Sequence, residues 1–127
     1  MNILGLGTDL VAVRRVEALL DRYGERFLDR VFSAREQAEC LSRARPAMHL
    51  AARLAAKEAA MKALGTGHSQ GVLWRDIEVV RGGGPPRLTF RGGALRHFQR
   101  LGAASSLLTI THADTLALAQ VIILKAD

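Results

Sequence analysis

Glu58 and Lys62 stand one helical turn apart in the stretch Arg53 to Gly67, RLAAKEAAMKALGTG, and Asp9 closes an N-terminal apolar run from Ile3. Carboxylates are hard oxygen ligands of the kind Mg²⁺ takes, in ones or twos, alongside substrate phosphate oxygens and retained waters. A lysine one turn beyond such a carboxylate is a point charge suited to a phosphate. These types allow metal-assisted transfer on a phosphate ester. A plain alternative stays open, because the i,i+4 spacing explains Glu58 and Lys62 as an intrahelical ion pair without any ligand.

Other chemistries find little support. The four histidines, His49, His68, His97 and His112, lack the spacing of a zinc site. Neither a G-x-S-x-G nucleophile elbow nor a phosphate-binding P-loop is present, and Gly5-Leu6-Gly7 lacks the third glycine of a dinucleotide fingerprint. Cys40 is the only cysteine, so no internal disulfide can form, and it reads as a small semi-buried hydrophobe rather than a reactive thiol.

The elements that must position Asp9, Glu58 and Lys62 follow from periodicity. Ile3 to Asp9 reads as a strand with Ile3, Gly5, Gly7 and Asp9 on one face, where two missing side chains let something approach closely. Val13, Val16, Leu19, Leu20 and Tyr23 recur at helical spacing and leave Arg14, Arg15 and Arg22 outward, a basic face that is either solvated or a docking surface. Phe27 to Phe32 suggests another helical turn or two, and Ser33 with Glu36 has the spacing of a capping box opening a short helix. Pro46 suits the first turn of a long helix that Gly65 ends in a left-handed conformation.

That long helix is apolar almost all round. Leu50, Leu54, Met61 and Leu64 form one face and Ala52, Ala55, Ala56, Ala59 and Ala63 another, so both must be covered. Between them run two narrow strips, Glu58 with Lys62 and Arg53 with Lys57. A buried helix normally sheds charge, because each ion removed from water must be paired or coordinated. The loop Gly65-Thr66-Gly67 sits at the helix C-terminus, where the dipole disfavours anions, so a phosphate there needs metal and cationic side chains. Beyond it, Ile77 to Val80 and Arg87 to Phe90 read as a hairpin, Ala94 to Leu101 as a short helix, and Ser105 to His112 and Leu116 to Lys125 as closing strands. Helices followed by hairpin-linked strands argue an α+β fold with an antiparallel sheet.

The chain has 127 residues, 49% of them apolar and 24% charged, an ordinary balance for one domain spanning residues 1–127. No apolar run approaches the ~18 residues of a membrane span and no secretory signal is visible, so a soluble, cytoplasmic protein without a membrane partner is expected. The net charge of +6 calls for an acidic partner. Aromatic residues are only 5% and the arginines are scattered, which argues against single-stranded nucleic acid. A small basic module binding RNA or DNA through phosphates would explain the charge but not carboxylates on a buried helix.

The residues resemble a family, the holo-acyl-carrier-protein synthases, the small class of 4′-phosphopantetheinyl transferases. Gly5-Leu6-Gly7-Thr8-Asp9-Leu10-Val11 looks like the family's opening motif and Arg53 to Gly67 like its second. Phe32-Ser33 with Glu36, Trp74-Arg75-Asp76-Ile77-Glu78-Val79, Gly84-Pro85-Pro86 and Thr109-Ile110-Thr111-His112 follow in the family's order. The first two motifs together are highly specific and the later ones weak. The resemblance implies transfer of the phosphopantetheine arm of coenzyme A to a serine hydroxyl of acyl carrier protein, releasing adenosine 3′,5′-bisphosphate, in support of fatty acid biosynthesis.

By the same resemblance Asp9 and Glu58 match magnesium ligands and Lys62 a catalytic lysine at the transferring phosphate. Glu58, directly or through a metal-bound water that it orients, is the first choice of base. Arg53, Lys62, Gly65, Thr66, Gly67, Pro86 and His112 match coenzyme A contacts, although Arg53 and Lys57 sit roughly opposite Lys62 on the helix. Arg14, Arg15, Arg22, Arg26 and Arg45 would dock the acidic carrier protein. Family members look like homotrimers with sites between subunits. The sequence departs from the family pattern at Ala113, where an acidic residue often follows the histidine; Asp114 comes one position later. A transferase acting on modular synthase carriers is the alternative within enzymes, and the short chain favours the trimeric class.

Overall fold

A computed structural model describes residues 2–127. Strand β1 (Ile3–Ala12) leads into helices α1 (Val13–Tyr23), α2 (Glu25–Val31), α3 (Ala34–Leu41) and the long α4 (Pro46–Leu64). A short 3-10 turn (Trp74–Asp76) precedes the hairpin β2 (Ile77–Val80) and β3 (Arg87–Phe90), then α5 (Gly92–Arg100), β4 (Ala103–His112) and β5 (Leu116–Lys125). The fold is α+β. The last strand inserts between the first and the fourth, giving an antiparallel sheet of order β1-β5-β4, with β2-β3 as a separate ribbon.

Helix α4 lies across the inner face of that sheet, against β1 and β5, and meets α1, α3 and β2 elsewhere around its circumference. The alanine stripe is what lets it come so close. A Cβ added at Gly5 would fall 1.9 Å from the Ala63 carbonyl oxygen, and one at Gly7 1.8 Å from that of Ala59. The helix backbone is therefore the object for which β1 leaves room. Val11, Ala117, Ala119, Val121 and Ile123 close the same face and are fully buried, each of the larger ones contributing about 1.5–3 kcal/mol.

The caps are those the sequence implies. Pro46 occupies the first turn of α4, and Gly65 ends it at φ 80°, its N–H donating to the Met61 and Lys62 carbonyls. Ser33 and Glu36 form a reciprocal capping box at α3, with the Ser33 N–H donating to Glu36 Oε1 at 2.9 Å and the Glu36 N–H to Ser33 Oγ at 3.2 Å. Cys40 is fully buried, and burial pushes its thiol up to about 11, which keeps it protonated and inert.

Ile3 departs from the alternation. The register of β1 against β5 slips between Ile3 and Gly5, so Ile3 is 62% exposed rather than on the glycine face, and Leu4 packs on the core. One extra residue in a strand turns every side chain before it to the opposite face. Strand β1 also runs three residues beyond Asp9, paired with β5 as far as Ala12.

Candidate active site

Asp9 lies inside a strand clamped between α4 and β5, directly across the ladder from Ala119. Its face is fixed by Gly5 and Gly7, which point at α4, and the same alternation turns Asp9 toward the helix. There it meets Lys62 and Glu58. Lys62 Nζ donates to Asp9 Oδ1 at 2.9 Å and to the Thr8 carbonyl at 3.0 Å. Glu58 Oε1 accepts from the Arg15 guanidinium of α1 at 3.4 Å. The partners that hold Lys62 and Glu58 thus come from β1 and α1, so the alternative of an ion pair within the helix is not what organises them.

The two carboxyl groups crowd one another. Burial, then a hydrogen-bonding contact with Asp9 and the charge of Asp9, raise Glu58 from an ordinary 4.5 to about 7, with Arg15 opposing the rise. Asp9 Oδ2 is buried and has no hydrogen-bond partner. Like charges pressed together beside an unpaired oxygen are what a divalent cation relieves, so the donors present fit Mg²⁺. Among the described residues no group of three or more His, Cys, Asp and Glu could hold a metal. A two-carboxylate set matches the Mg²⁺ habit of taking its remaining oxygens from substrate phosphates and water.

Around this pair is a cavity of about 270 Å³ lined by Asp9, Glu58, Met61, Lys62, Gly67, His68 and Trp74. His68 and Trp74 stack with centroids 5.5 Å apart and form one wall. Sequence reading gave neither a role in the site, naming His68 only among the histidines and Trp74 only within a weak motif. They lie in the loop after α4 at no periodic spacing, and only the return of that loop brings them over Glu58.

Gly67 lines the cavity, and Gly65 is the left-handed stop that turns the loop toward it. The Thr66 hydroxyl is turned inward to the Gly67 carbonyl at 2.8 Å, bracing the loop. Arg53 is 4% exposed and points away from Lys62: it pairs with Glu39 at 3.0 Å and donates to the His49 carbonyl at 3.4 Å. His49 faces His112 with centroids 6.4 Å apart, and burial, with Arg43, Arg53, His112 and Arg81, holds His49 below its ordinary value. These residues form a second, cationic group near the start of α4. Pro86 lies in the β2–β3 connection and lines no part of the cavity.

Of the outward arginines, Arg14 and Arg45 line a groove with Asp114, to which Arg45 is paired at 3.5 Å. Arg15 turns to Glu58, while Arg22 and Arg26 lie over the Tyr23 ring at 5.3 and 5.5 Å. Lys57, on the strip with Arg53, is fully buried and paired with Glu36 at 2.8 Å. Burial pushes Lys57 down and Glu36 opposes that. Removing one member of such a pair costs about 3–5 kcal/mol.

Residues 5–119 match the model of the 4′-phosphopantetheinyl transferase superfamily. A holo-[acyl-carrier-protein] synthase of Methylorubrum extorquens is 51% identical over 126 residues, covering 95% of this chain and 93% of the relative. The corresponding protein of Koribacter versatilis is 45% identical, covering 95% and 98%. Among solved structures, the Neisseria meningitidis synthase superposes with a TM-score of 0.88 at 32% identity, covering 98% of this chain and all of that one. The Bacillus anthracis synthase, solved in complex with coenzyme A (3′,5′-ADP), gives 0.80 at 31%, covering 98% of both. With the family's two strongest motifs meeting at one carboxylate pair, this chain belongs to the holo-[acyl-carrier-protein] synthase family of 4′-phosphopantetheinyl transferases.

Proposed function

We propose that the protein moves the 4′-phosphopantetheine arm of coenzyme A to a serine hydroxyl of apo acyl carrier protein, with Mg²⁺ as cofactor, in cytoplasmic fatty acid biosynthesis. The single observation that carries the reading is the meeting of Asp9, from β1, with Glu58, from α4, beside an unpaired buried oxygen. Relatives solved with coenzyme A support the substrate. No helix among the described residues is long and apolar enough to cross a membrane.

Asp9 and Glu58 would hold the metal, which when bound offsets charge on the pyrophosphate and the leaving group. Lys62, 55% exposed at its side chain, is free to exchange Asp9 for a phosphate oxygen. Glu58 is the proton acceptor for the serine hydroxyl, directly or through a water that it orients. Met61, His68 and Trp74 line the cavity beside them. The remainder is positioning.

The adenosine phosphates are assigned to the group of Arg53, His49 and His112. His49 precedes Glu58 by nine residues on α4, roughly 13 Å along the axis. One chain therefore presents the two halves of a nucleotide site far apart, which supports completion of each site by a neighbour in a homotrimer. Leu6, Leu10, Leu107 and Leu118 expose 58%, 56%, 57% and 37% on the strands of one sheet and supply an apolar surface for that contact. The acidic carrier protein would dock on Arg14, Arg15, Arg22, Arg26 and Arg45.

Incubation with coenzyme A, Mg²⁺ and apo carrier protein tests the reading by mass spectrometry. The expected result is a carrier protein heavier by the phosphopantetheine arm, abolished by chelation and restored by Mg²⁺. No transfer to any of several carrier proteins overturns it.

A further inference from the structure

Lys57 precedes Glu58 in α4 and faces the interior, and nothing in the transfer reaction uses it. An ammonium has three N–H donors, and all three are engaged. They reach Glu36 Oε1 at 2.8 Å, the Trp74 carbonyl at 3.2 Å and the Ile77 carbonyl. Glu36 is engaged as completely, since Oε1 also accepts the Ser33 N–H at 2.9 Å and Oε2 accepts the Val79 N–H at 2.9 Å. Both side chains are fully buried. Four elements, α3, α4, the 3-10 turn and β2, are tied at this point.

Stability alone does not require the pair, because apolar residues of similar volume often serve a buried site as well or better. Directional hydrogen bonds do what apolar packing cannot: they hold the Trp74 carbonyl of the turn and the Ile77 carbonyl of β2 at set distances from α4, and the Val79 N–H of β2 at a set distance from α3. The residue so held is Trp74, whose ring stacks on His68 as the wall facing Asp9, Glu58 and Lys62. The wall and the carboxylate are thus referenced to adjacent positions of one helix.

We propose that Lys57 and Glu36 are positioning residues that fix the Trp74–His68 wall over the Asp9–Glu58–Lys62 cavity. The kinetic consequence rests on the phosphopantetheine-transfer reading; the structural one does not.

Trp74 is the only tryptophan in the chain, so its emission reports the wall directly. The test uses the full-length double variant Lys57→Met with Glu36→Gln, which removes the charge pair without leaving one buried ion alone. A cooperative melt is expected, with Trp74 emission moved to longer wavelength and more open to acrylamide. The kcat for transfer falls about tenfold or more while the KM for carrier protein stays near wild type, as a displaced wall would cause. Ile123→Ala, a core truncation in β5, is the control for destabilisation and leaves both emission and kcat unchanged. If the double variant fails to fold, Glu36→Asp, which keeps the charge but draws it back by one methylene, shifts the emission in the same direction. An unshifted spectrum in whichever of these variants folds, or an equal shift in Ile123→Ala, overturns the proposal. A shifted spectrum in a protein that shows no transfer even as wild type leaves the positioning role standing and removes the transfer reading.

Discussion

Gly7 and Ala59 are in backbone contact: a Cβ on Gly7 would lie 1.8 Å from the Ala59 carbonyl oxygen. That closeness holds β1 against α4, so that Asp9, the next residue on the same face, comes within reach of the Glu58 and Lys62 side chains. The obstacle to a larger residue is helix backbone, which cannot swing aside as a side chain can. Gly7→Ala is expected to cost about 3 kcal/mol or more, with a melting temperature lower by roughly 10 °C. It should also weaken Mg²⁺ dependence in whatever folded protein remains. A variant with wild-type melting would show that β1 does not need this contact.

Glu58→Gln is expected to abolish transfer while keeping the fold. In metal-free protein the sign of its effect depends on pH. The folded state raises Glu58 from 4.5 to about 7, so it favours the protonated acid relative to the unfolded chain. Wild-type stability is therefore lost as pH rises from about 4.5 through 7, whereas the amide is indifferent. Melting in the presence of a chelator should place Glu58→Gln further above wild type at pH 8 than at pH 5. A constant difference would mean that burial and the neighbouring Asp9 do not raise Glu58, and a near-normal rate would take Glu58 out of the site.

Arg14→Glu reverses charge on the outward face of α1 without touching the cavity. The expected result is a higher KM for carrier protein with little change for coenzyme A. Raising ionic strength should weaken wild-type docking and blunt the difference between the two proteins, since screening acts on exposed charges. Equal effects on both substrates would place docking elsewhere.

His49 is held below 6.5 by burial and by Arg43, Arg53, His112 and Arg81. An NMR titration should give a midpoint under that ordinary value. Adenosine 3′,5′-bisphosphate should move it upward, because a phosphate among these cations favours the charged imidazole. A midpoint that ignores the nucleotide would argue against phosphate binding by this group.

Local structure was legible in the chain because its causes are local. Pro46 and Gly65 mark the two ends of α4, Ser33 with Glu36 marks the start of α3, and the span Leu116–Lys125 of β5 is as its pattern implies. The bulge that exposes Ile3 was not legible, since a slipped register is decided by pairing with β5 and not by the residues of β1 alone.

The sequence by itself determined which side chains are the candidates for the chemistry. Asp9, Glu58 and Lys62 were readable as hard ligands and a point charge because side-chain chemistry and helical spacing need no third dimension. Only the tertiary structure decided whom they meet. It set Lys62 against Asp9 and Glu58 against Arg15, sent Arg53 to Glu39, paired Lys57 with Glu36, and folded His68 and Trp74 over the cavity. A charge on a helix records its face, but its partner depends on what the remainder of the chain packs there, and long-range packing is the one quantity that spacing does not encode.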